Sequence, residues 1–364
     1  MNEKSRERAG AMKIAVFLPN WIGDVAMATP ALRAVRDQFP SAEIVGIMRP
    51  YVADVLEGTT LLDRTLFYHP RGKDASQRGL RFIRNLRGER FDVALLLPNS
   101  LRSAALAFAS GAKRRVGFAR DFRGWLLTDR VAPKSKKTPH PVLDEYLRLV
   151  ERLGCPSHRR PMELGVTAKD QAALDAFWKD HPPYFADRTN DSSPNYICLN
   201  TGGAFGTAKN WPSESFVELA QRTATELRKN VLVVCGPSER EDARRIANEA
   251  NHPAIVSLAE AQLSIGLTKA AIRSCDLLVT TDSGPRHFAA AFNRPVVTLF
   301  GPTHIAWSET HYNRGEHLQL KLDCGPCQQR ECPLKHHRCM RDLTVETVFA
   351  AVQRQLNNQH WKAA

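Results

Sequence analysis

Apolar residues along this chain fall into two patterns: short unbroken runs, and longer stretches in which they recur every three or four positions. The first pattern predicts buried strands and the second predicts amphipathic helices. In the first half, strands are predicted at 14–18, 43–48, 64–68 and 93–98, with helices at 30–38, 52–57, 79–86, 103–110 and 143–153. The strands are apolar on both faces, as in a parallel sheet covered by helices on either side. A stretch at 180–194, rich in Pro, Asp, Asn and Ser, has the composition of a linker or surface loop. The alternation then restarts. Strands are predicted at 196–200, 231–235, 254–257, 277–281 and 296–300, and helices at 213–227 (with Ser213 as N-cap), 239–250, 265–271 and 344–356. A single core stops growing near ~250–300 residues. At 364 residues, the chain is therefore read as α/β with two Rossmann-like domains, 12–180 and 195–343, followed by a terminal helix at 344–358.

Charge changes this picture by separating the halves. Residues 1–180 hold 31 Lys and Arg against 20 Asp and Glu, whereas residues 181–364 hold 20 against 18. Within the first half, residues 71–137 hold 17 against 5, an excess that draws anionic partners. Arg78, Arg81, Arg84 and Arg87 recur near helical spacing around Leu80, Ile83 and Leu86. They face an anionic lipid or sugar, or else form a solvated helix face. No run approaches the ~18 apolar residues of a membrane span. The first eleven residues lack the apolar centre of a secretory signal, so a cytosolic location is expected, with Met12 an alternative start.

Chemistry concentrates where predicted strands end. The first strand runs into Pro19-Asn-Trp-Ile-Gly-Asp24, which has one glycine where a nicotinamide or flavin fingerprint needs three. No P-loop motif occurs either. Asp24, beside Gly23, is a candidate general base or a helix cap. The strand at 196–200 runs into Asn200-Thr-Gly-Gly-Ala-Phe-Gly-Thr-Ala-Lys209. Its glycines, the hydroxyls of Thr201 and Thr207, and Lys209 read as an anion cradle or as a flexible loop with a solvated lysine. The strand at 277–281 runs into Asp282-Ser-Gly-Pro-Arg-His287 and a small-residue helix whose N-terminus favours a diphosphate. Asp282 reads as a sugar-hydroxyl ligand or a helix cap, and His287 as a diphosphate donor or a core histidine.

Of the eight cysteines, Cys155, Cys198, Cys235 and Cys275 are isolated and read as small buried hydrophobes. Cys324, Cys327, Cys332 and Cys339 form C-x2-C-x4-C-x6-C. Three readings stand: a structural zinc site with His336 or His337 as substitute ligands, reversible disulfides, or unpaired thiols.

In their order along the chain, these motifs resemble glycosyltransferase family 9, the lipopolysaccharide heptosyltransferases, and most closely their heptosyltransferase II branch. The resemblance rests on N-W-I-G-D-x-x-M-A-T-P at 20–30, L-P-N-S at 97–100 and N-T-G-G-A-F-G-T-A-K-N-W-P at 200–212. It also rests on T-T-D-S-G-P-R-H-F-A-A-A at 280–291, L-F-G-P-T at 299–303 and the cysteine-rich tail. It implies a GT-B fold, two Rossmann-like domains facing across a cleft, with the acceptor on the first and the nucleotide sugar on the second. The implied reaction is an inverting transfer of L-glycero-D-manno-heptose from ADP-heptose to the heptosyl-Kdo-lipid A inner core. That reaction needs no catalytic metal and takes place at the cytoplasmic face of the inner membrane. By the same resemblance Asp24 is the catalytic base, and Asn20 belongs to the substrate-binding set. Lys209 with Thr201, Gly202 and Thr207 meets the diphosphate, and Asp282, Ser283, Gly284 and His287 form the donor-binding turn.

A family 9 transferase using a different nucleotide sugar is the alternative. A basic nucleic-acid-binding protein is disfavoured, because no recognition motif appears and the aromatic residues are not interleaved with the basic ones. The chain departs from the family pattern at Pro285-Arg286, where apolar residues are common. Arg286 there adds a phosphate contact or alters specificity. The leader 1–11 has no assigned counterpart, and the cysteine tail occurs in only some members.

Overall fold

The computed structural model describes residues 12–135, 137–156, 161–185, 195–203 and 205–358. The leader 1–11 and most of the 180–194 stretch lie outside the described residues. The chain divides into two compact units that part between Glu163 and Leu164.

The first unit is a six-stranded, wholly parallel sheet of β1 (Lys13–Phe17), β2 (Glu43–Met48), β3 (Arg64–Phe67), β4 (Val93–Leu96), β5 (Arg114–Phe118) and β6 (Asp129–Val131). The strand order is β3-β2-β1-β4-β5-β6. Its helices are α1 (Ile22–Gln38), α2 (Gly79–Gly88), α3 (Leu101–Ala109) and α4 (Val142–Glu151), besides short turns. Ile14, Ala15 and Val16 of β1 and Ala94, Leu95 and Leu96 of β4 are fully buried, as continuous apolar strands require.

The first helix begins eight residues earlier than its predicted start, and Pro30 lies inside it. Proline cannot donate to the carbonyl four residues back, which normally breaks a helix. Here the Thr29 hydroxyl donates to that carbonyl, Ala26 O, at 2.7 Å. Thr29 Oγ1 in turn accepts from the Glu163 backbone at 2.9 Å. The T-P pair thus carries its own repair.

The second unit repeats the plan with β7 (Tyr196–Asn200), β8 (Asn230–Val234), β9 (Ile255–Ser257), β10 (Leu277–Thr281), β11 (Val296–Phe300) and β12 (Gly315–Gln319). All its pairings are parallel, and the order is β12-β11-β10-β7-β8-β9. Its helices are α5 (Ala168–Asp180), α6 (Ser213–Glu226), α7 (Arg240–Ala250), α8 (Ile265–Ser274), α9 (Gly284–Ala291) and α10 (Val345–Asn357). The division precedes α5, so this helix belongs with the second sheet and not with the 12–180 domain expected from composition. The reason lies in its contacts. A capping box of Thr167 and Asp170 opens α5, and Gln171 accepts a hydrogen bond from Arg273 of α8 at 2.5 Å.

In each unit the strand order reverses once, between β1 and β4 and between β7 and β10. Open parallel sheets bind ligands outside the carboxyl ends of the strands at that reversal. The four motif-bearing loops, at 18–24, 97–100, 200–209 and 282–287, follow these four strands.

Candidate functional site

At the end of β1 the chain turns through Asn20, and Trp21 is the N-cap of α1. Asp24 therefore lies in the first turn of the helix and does not occupy its cap position. The carboxylate sits half-buried near the positive end of a 17-residue helix. Tyr146 of α4 lies within its electrostatic reach: burial pushes that phenol well up, and the Asp24 charge adds to the rise. Asn20 is exposed, and its carbonyl accepts from the Tyr51 hydroxyl.

The neighbouring loop after β4 rests on a residue that the sequence reading passed over. Arg123 has no exposed surface. Its guanidinium donates to Phe118 O (2.9 Å), Pro98 O (2.6 Å), Ser100 O (3.2 Å), Ser103 Oγ (3.3 Å) and Asn99 Oδ1 (3.1 Å). Burial pushes it down to about 10, so it remains charged at neutral pH. A lone arginine in a basic segment reads as surface, and only its partnership with the P-N-S loop reveals it. On α2, Arg81, Arg84 and Arg87 are exposed, while Phe82 and Leu86 are buried.

At the reversal of the second sheet, Asn200 ties the two loops together. Its amide donates to Gly202 O (3.1 Å), Thr280 Oγ1 (2.9 Å) and Ser283 Oγ (3.0 Å). A Cβ on Gly203 would lie 2.9 Å from the Ser283 Cβ, so glycine permits this approach. Gly206 adopts φ 153° against the Arg330 carbonyl, a conformation that only glycine takes readily. Glu239, in the short turn that follows β8, packs against Gly202 and accepts from Gly236 N at 2.8 Å. It was missed, although G-P-x-E at a strand end was a legible signal. Thr201 is buried, and its hydroxyl has no hydrogen-bond partner among the described residues. Such orphans are rare and call for an explanation. Thr207 is exposed.

Lys209 is not a solvated side chain. It is 8% exposed, and its ammonium donates to Asp282 O (2.7 Å) and Asp282 Oδ2 (2.6 Å), 4.6 Å from the centre of the Phe205 ring. Asp282 also accepts from Thr303 (2.7 Å) and Ser308 (2.9 Å), with Arg286 at 3.6 Å. Burial alone would push this carboxyl up. Lys209 and Arg286, with the hydrogen bonds, outweigh that and hold it well below the usual carboxylate range.

Asp282 precedes the cap of α9, which is Ser283; Gly284 is the first residue of the helix. Arg286, the departure noted above, is 4% exposed and bonds Ser308 (Oγ at 2.6 Å) and His317 Nε2 (2.8 Å). It is thus part of the buried network around Asp282. His287 is buried, and burial together with the Arg286 charge lowers it well below its ordinary value, so it is neutral.

His317 behaves alike, pushed down to about 4 by burial and Arg286. In the unfolded chain both histidines take up a proton near pH 6.5, whereas in the folded chain they resist it. The unfolded state therefore binds more protons, and stability falls as pH drops from about 6.5 towards 4. Urea midpoints measured from pH 7 to pH 4 should decline over that interval. The decline should be smaller in His317→Gln, which keeps an acceptor for Arg286 and cannot titrate.

The four clustered cysteines are free, with Cys324 exposed and the others half-buried. Among the described residues, no three His, Cys, Asp or Glu side chains are gathered closely enough to hold a metal ion. Cys332 Sγ instead accepts from His337 N (3.4 Å), and burial pushes the Cys339 thiol up to about 11. The segment braces the loop before Lys209: Ala208 N donates to Arg330 O (3.0 Å), and His337 Nε2 bonds Ala208 O (2.8 Å).

This geometry can be set beside known proteins. The sequence profile of glycosyltransferase family 9 (heptosyltransferase) matches residues 79–338. The chain belongs to this family. It is 28% identical to a lipooligosaccharide heptosyltransferase 2 of Campylobacter jejuni over 363 residues, covering 96% of this chain and 100% of the relative. To the lipopolysaccharide heptosyltransferase 2 of Escherichia coli K12 it is 27% identical over 350 residues, covering 93% and 97%. Among solved structures, the E. coli ADP-heptose lps heptosyltransferase II matches with TM-score 0.77 at 23% identity, covering 96% of this chain and 100% of that one. The family 9 chain is therefore a heptosyltransferase II-like glycosyltransferase with the GT-B fold. Among the described residues, no helix is long and apolar enough to cross a membrane.

Proposed function

We propose that this enzyme transfers L-glycero-D-manno-heptose from ADP-heptose to the heptosyl-Kdo-lipid A inner core of lipopolysaccharide, with inversion, at the cytoplasmic face of the inner membrane. The observation that carries this reading is the contrast between the two sheet reversals. One, in the strongly basic unit, offers the carboxylate of Asp24. The other offers Lys209, a helix N-terminus and the orphan Thr201 hydroxyl.

Inversion in one displacement needs a base on the acceptor hydroxyl and stabilisation of charge on the departing ADP. Asp24 takes the acceptor proton as the new glycosidic bond forms and the bond to the ADP phosphate breaks. Asn20 helps to hold the substrate beside it. Lys209 keeps one N–H beyond its two bonds to Asp282, and this N–H meets the diphosphate together with Thr201, Gly202, Thr207 and the amides of Ser283 and Gly284. With these groups the departing charge is met without a catalytic metal. His287, neutral, serves as a hydrogen-bond donor, and Asp282 aims the lysine.

The test is transfer from ADP-L-glycero-D-manno-heptose, beside ADP-mannose and UDP-sugars, to heptosyl-Kdo-lipid A, with and without chelator. Heptosylated product and ADP release that survive chelation are expected. Turnover only with another sugar would discard the donor and keep the family 9 mechanism, since phosphate-binding loops do not read the sugar.

A further inference from the structure

One surface of the first unit breaks the pattern of apolar inside and polar outside. Helix α3 buries Ala104, Leu106 and Ala107 against the sheet, yet its opposite face is also apolar: Leu101 is 52% and Phe108 53% exposed. Beside it, the turn after β5 exposes Phe122 to 97% and Trp125 to 69%. Phe108 and Trp125 lie 6.4 Å apart between ring centres, so helix and turn form one patch.

The turn is built to hold this shape. Asp121 and Phe122 are consecutive non-glycine residues in the left-handed region, at φ 52° and 56°. Strain of this kind persists only where the surroundings impose it, and it clusters at functional positions. What imposes it here is Arg123, whose buried guanidinium fastens the turn to the 98–103 segment through the bonds described above. A hydrophobic tip that merely failed to pack would not rest on such an anchor.

Charge says what the patch meets. Residues 98–128 hold six Lys and Arg against one acid, Asp121. Arg102 is exposed and Arg120 half-exposed beside the aromatic residues. Exposed Trp, Phe and Leu set among arginines suit the interface of an anionic bilayer, where rings enter the headgroup layer and cations meet the lipid charge. The patch also follows the carboxyl ends of β4 and β5, the sheet edge that carries Asp24.

We propose that Leu101, Phe108, Phe122 and Trp125, with Arg102 and Arg120, form the surface by which this enzyme docks on an anionic lipid bilayer. The docking presents its carboxylate-bearing edge to a lipid-anchored acceptor. This rests on the functional reading above only in the identity of that acceptor.

The test is co-sedimentation of the full chain with phosphatidylcholine vesicles and with phosphatidylcholine–phosphatidylglycerol vesicles. The wild type should prefer the anionic vesicles. The double variant Phe122→Ser/Trp125→Ser should bind them about tenfold more weakly or worse, with an unchanged melting temperature. Arg102→Gln/Arg120→Gln should lose the preference for anionic lipid. Turnover on vesicle-borne acceptor should fall in both variants, while turnover on a deacylated, water-soluble acceptor should not.

Unchanged vesicle binding in the aromatic variant overturns the proposal. So does an equal loss on both acceptors, which would assign the patch to sugar binding, or a wild-type dimer that the variant dissolves. If no heptose is transferred to either acceptor while the binding differences hold, the functional reading fails and the docking surface stands.

Discussion

Asp24→Asn is expected to lower kcat for heptose transfer by about 100- to 10,000-fold, the usual worth of a positioned general base, with the Kd for ADP unchanged. Asparagine has the size of aspartate and fits the first turn of α1, so the fold of the first unit is retained. What it lacks is an oxygen basic enough to take the acceptor proton. ADP is proposed to bind loops of the second unit, more than 170 positions further along the chain, so its affinity reports on a separate part of the molecule. Single-turnover assays and ADP titration calorimetry separate the two quantities. Full turnover in Asp24→Asn would remove the base assignment. A parallel loss of ADP affinity would point to misfolding or to coupling between the units.

Much of this site was legible in the sequence because the strands at sheet centres are legible. β1, β7, β10 and β11 are continuous apolar runs, and in a parallel sheet the residues that follow such runs converge on one edge. Once that was read, Asp24, Thr201, Lys209 and Asp282 fell at strand ends. The reversals of strand order, β1 beside β4 and β7 beside β10, then single out the three strands β1, β7 and β10 that carry them.

Peripheral strands were less readable. β5 opens with Arg114-Arg115, β6 is Asp-Arg-Val, and β12 is Gly-Glu-His-Leu-Gln. At or next to a sheet edge a strand need not be apolar throughout, so these segments lack the signal of the inner strands. The start of α1 was hidden by Pro30, whose cost the Thr29 hydroxyl offsets locally. For α5, the Thr167–Asp170 capping box stood in the sequence and was a sufficient signal.

Buried charge is the part that composition conceals. Arg123, Lys209 and Arg286 carry no mark that separates them from surface residues, and only tertiary partners draw them inside. Arg286 shows this best. Read as a bulky departure reaching for phosphate, it is bound instead to Ser308, His317 and Asp282.

The Lys209–Asp282 pair is where stability and chemistry can be separated most sharply. Both residues are 8% exposed. Removing one partner of a buried ion pair costs about 3–5 kcal/mol, because the other charge is left without compensation. Lys209→Met keeps most of the lysine's apolar volume, so this cost is chiefly electrostatic. Arg286, Thr303 and Ser308 still hold Asp282, which places the expected loss toward the lower end of that range. Urea denaturation at pH 7 measures it in full, since the carboxyl is ionised in both folded and unfolded chains there. The pair's contribution is lost only as pH falls below about 3.8, the ordinary value of this carboxyl, and through the lower folded value.

Asp282→Asn cuts the same pair from the other side and is also destabilising, but its effect on ADP differs. It removes a negative charge from beside the proposed diphosphate site and leaves Lys209 and Arg286 in place. Coulomb's law then favours the anion. ADP affinity should therefore fall in Lys209→Met and be retained or raised in Asp282→Asn, although both proteins are less stable than the wild type. If ADP affinity fell in both, in step with stability, Lys209 would be a structural residue. The charge on the departing nucleotide would then have to be met by the loop amides and the N-terminus of α9 alone.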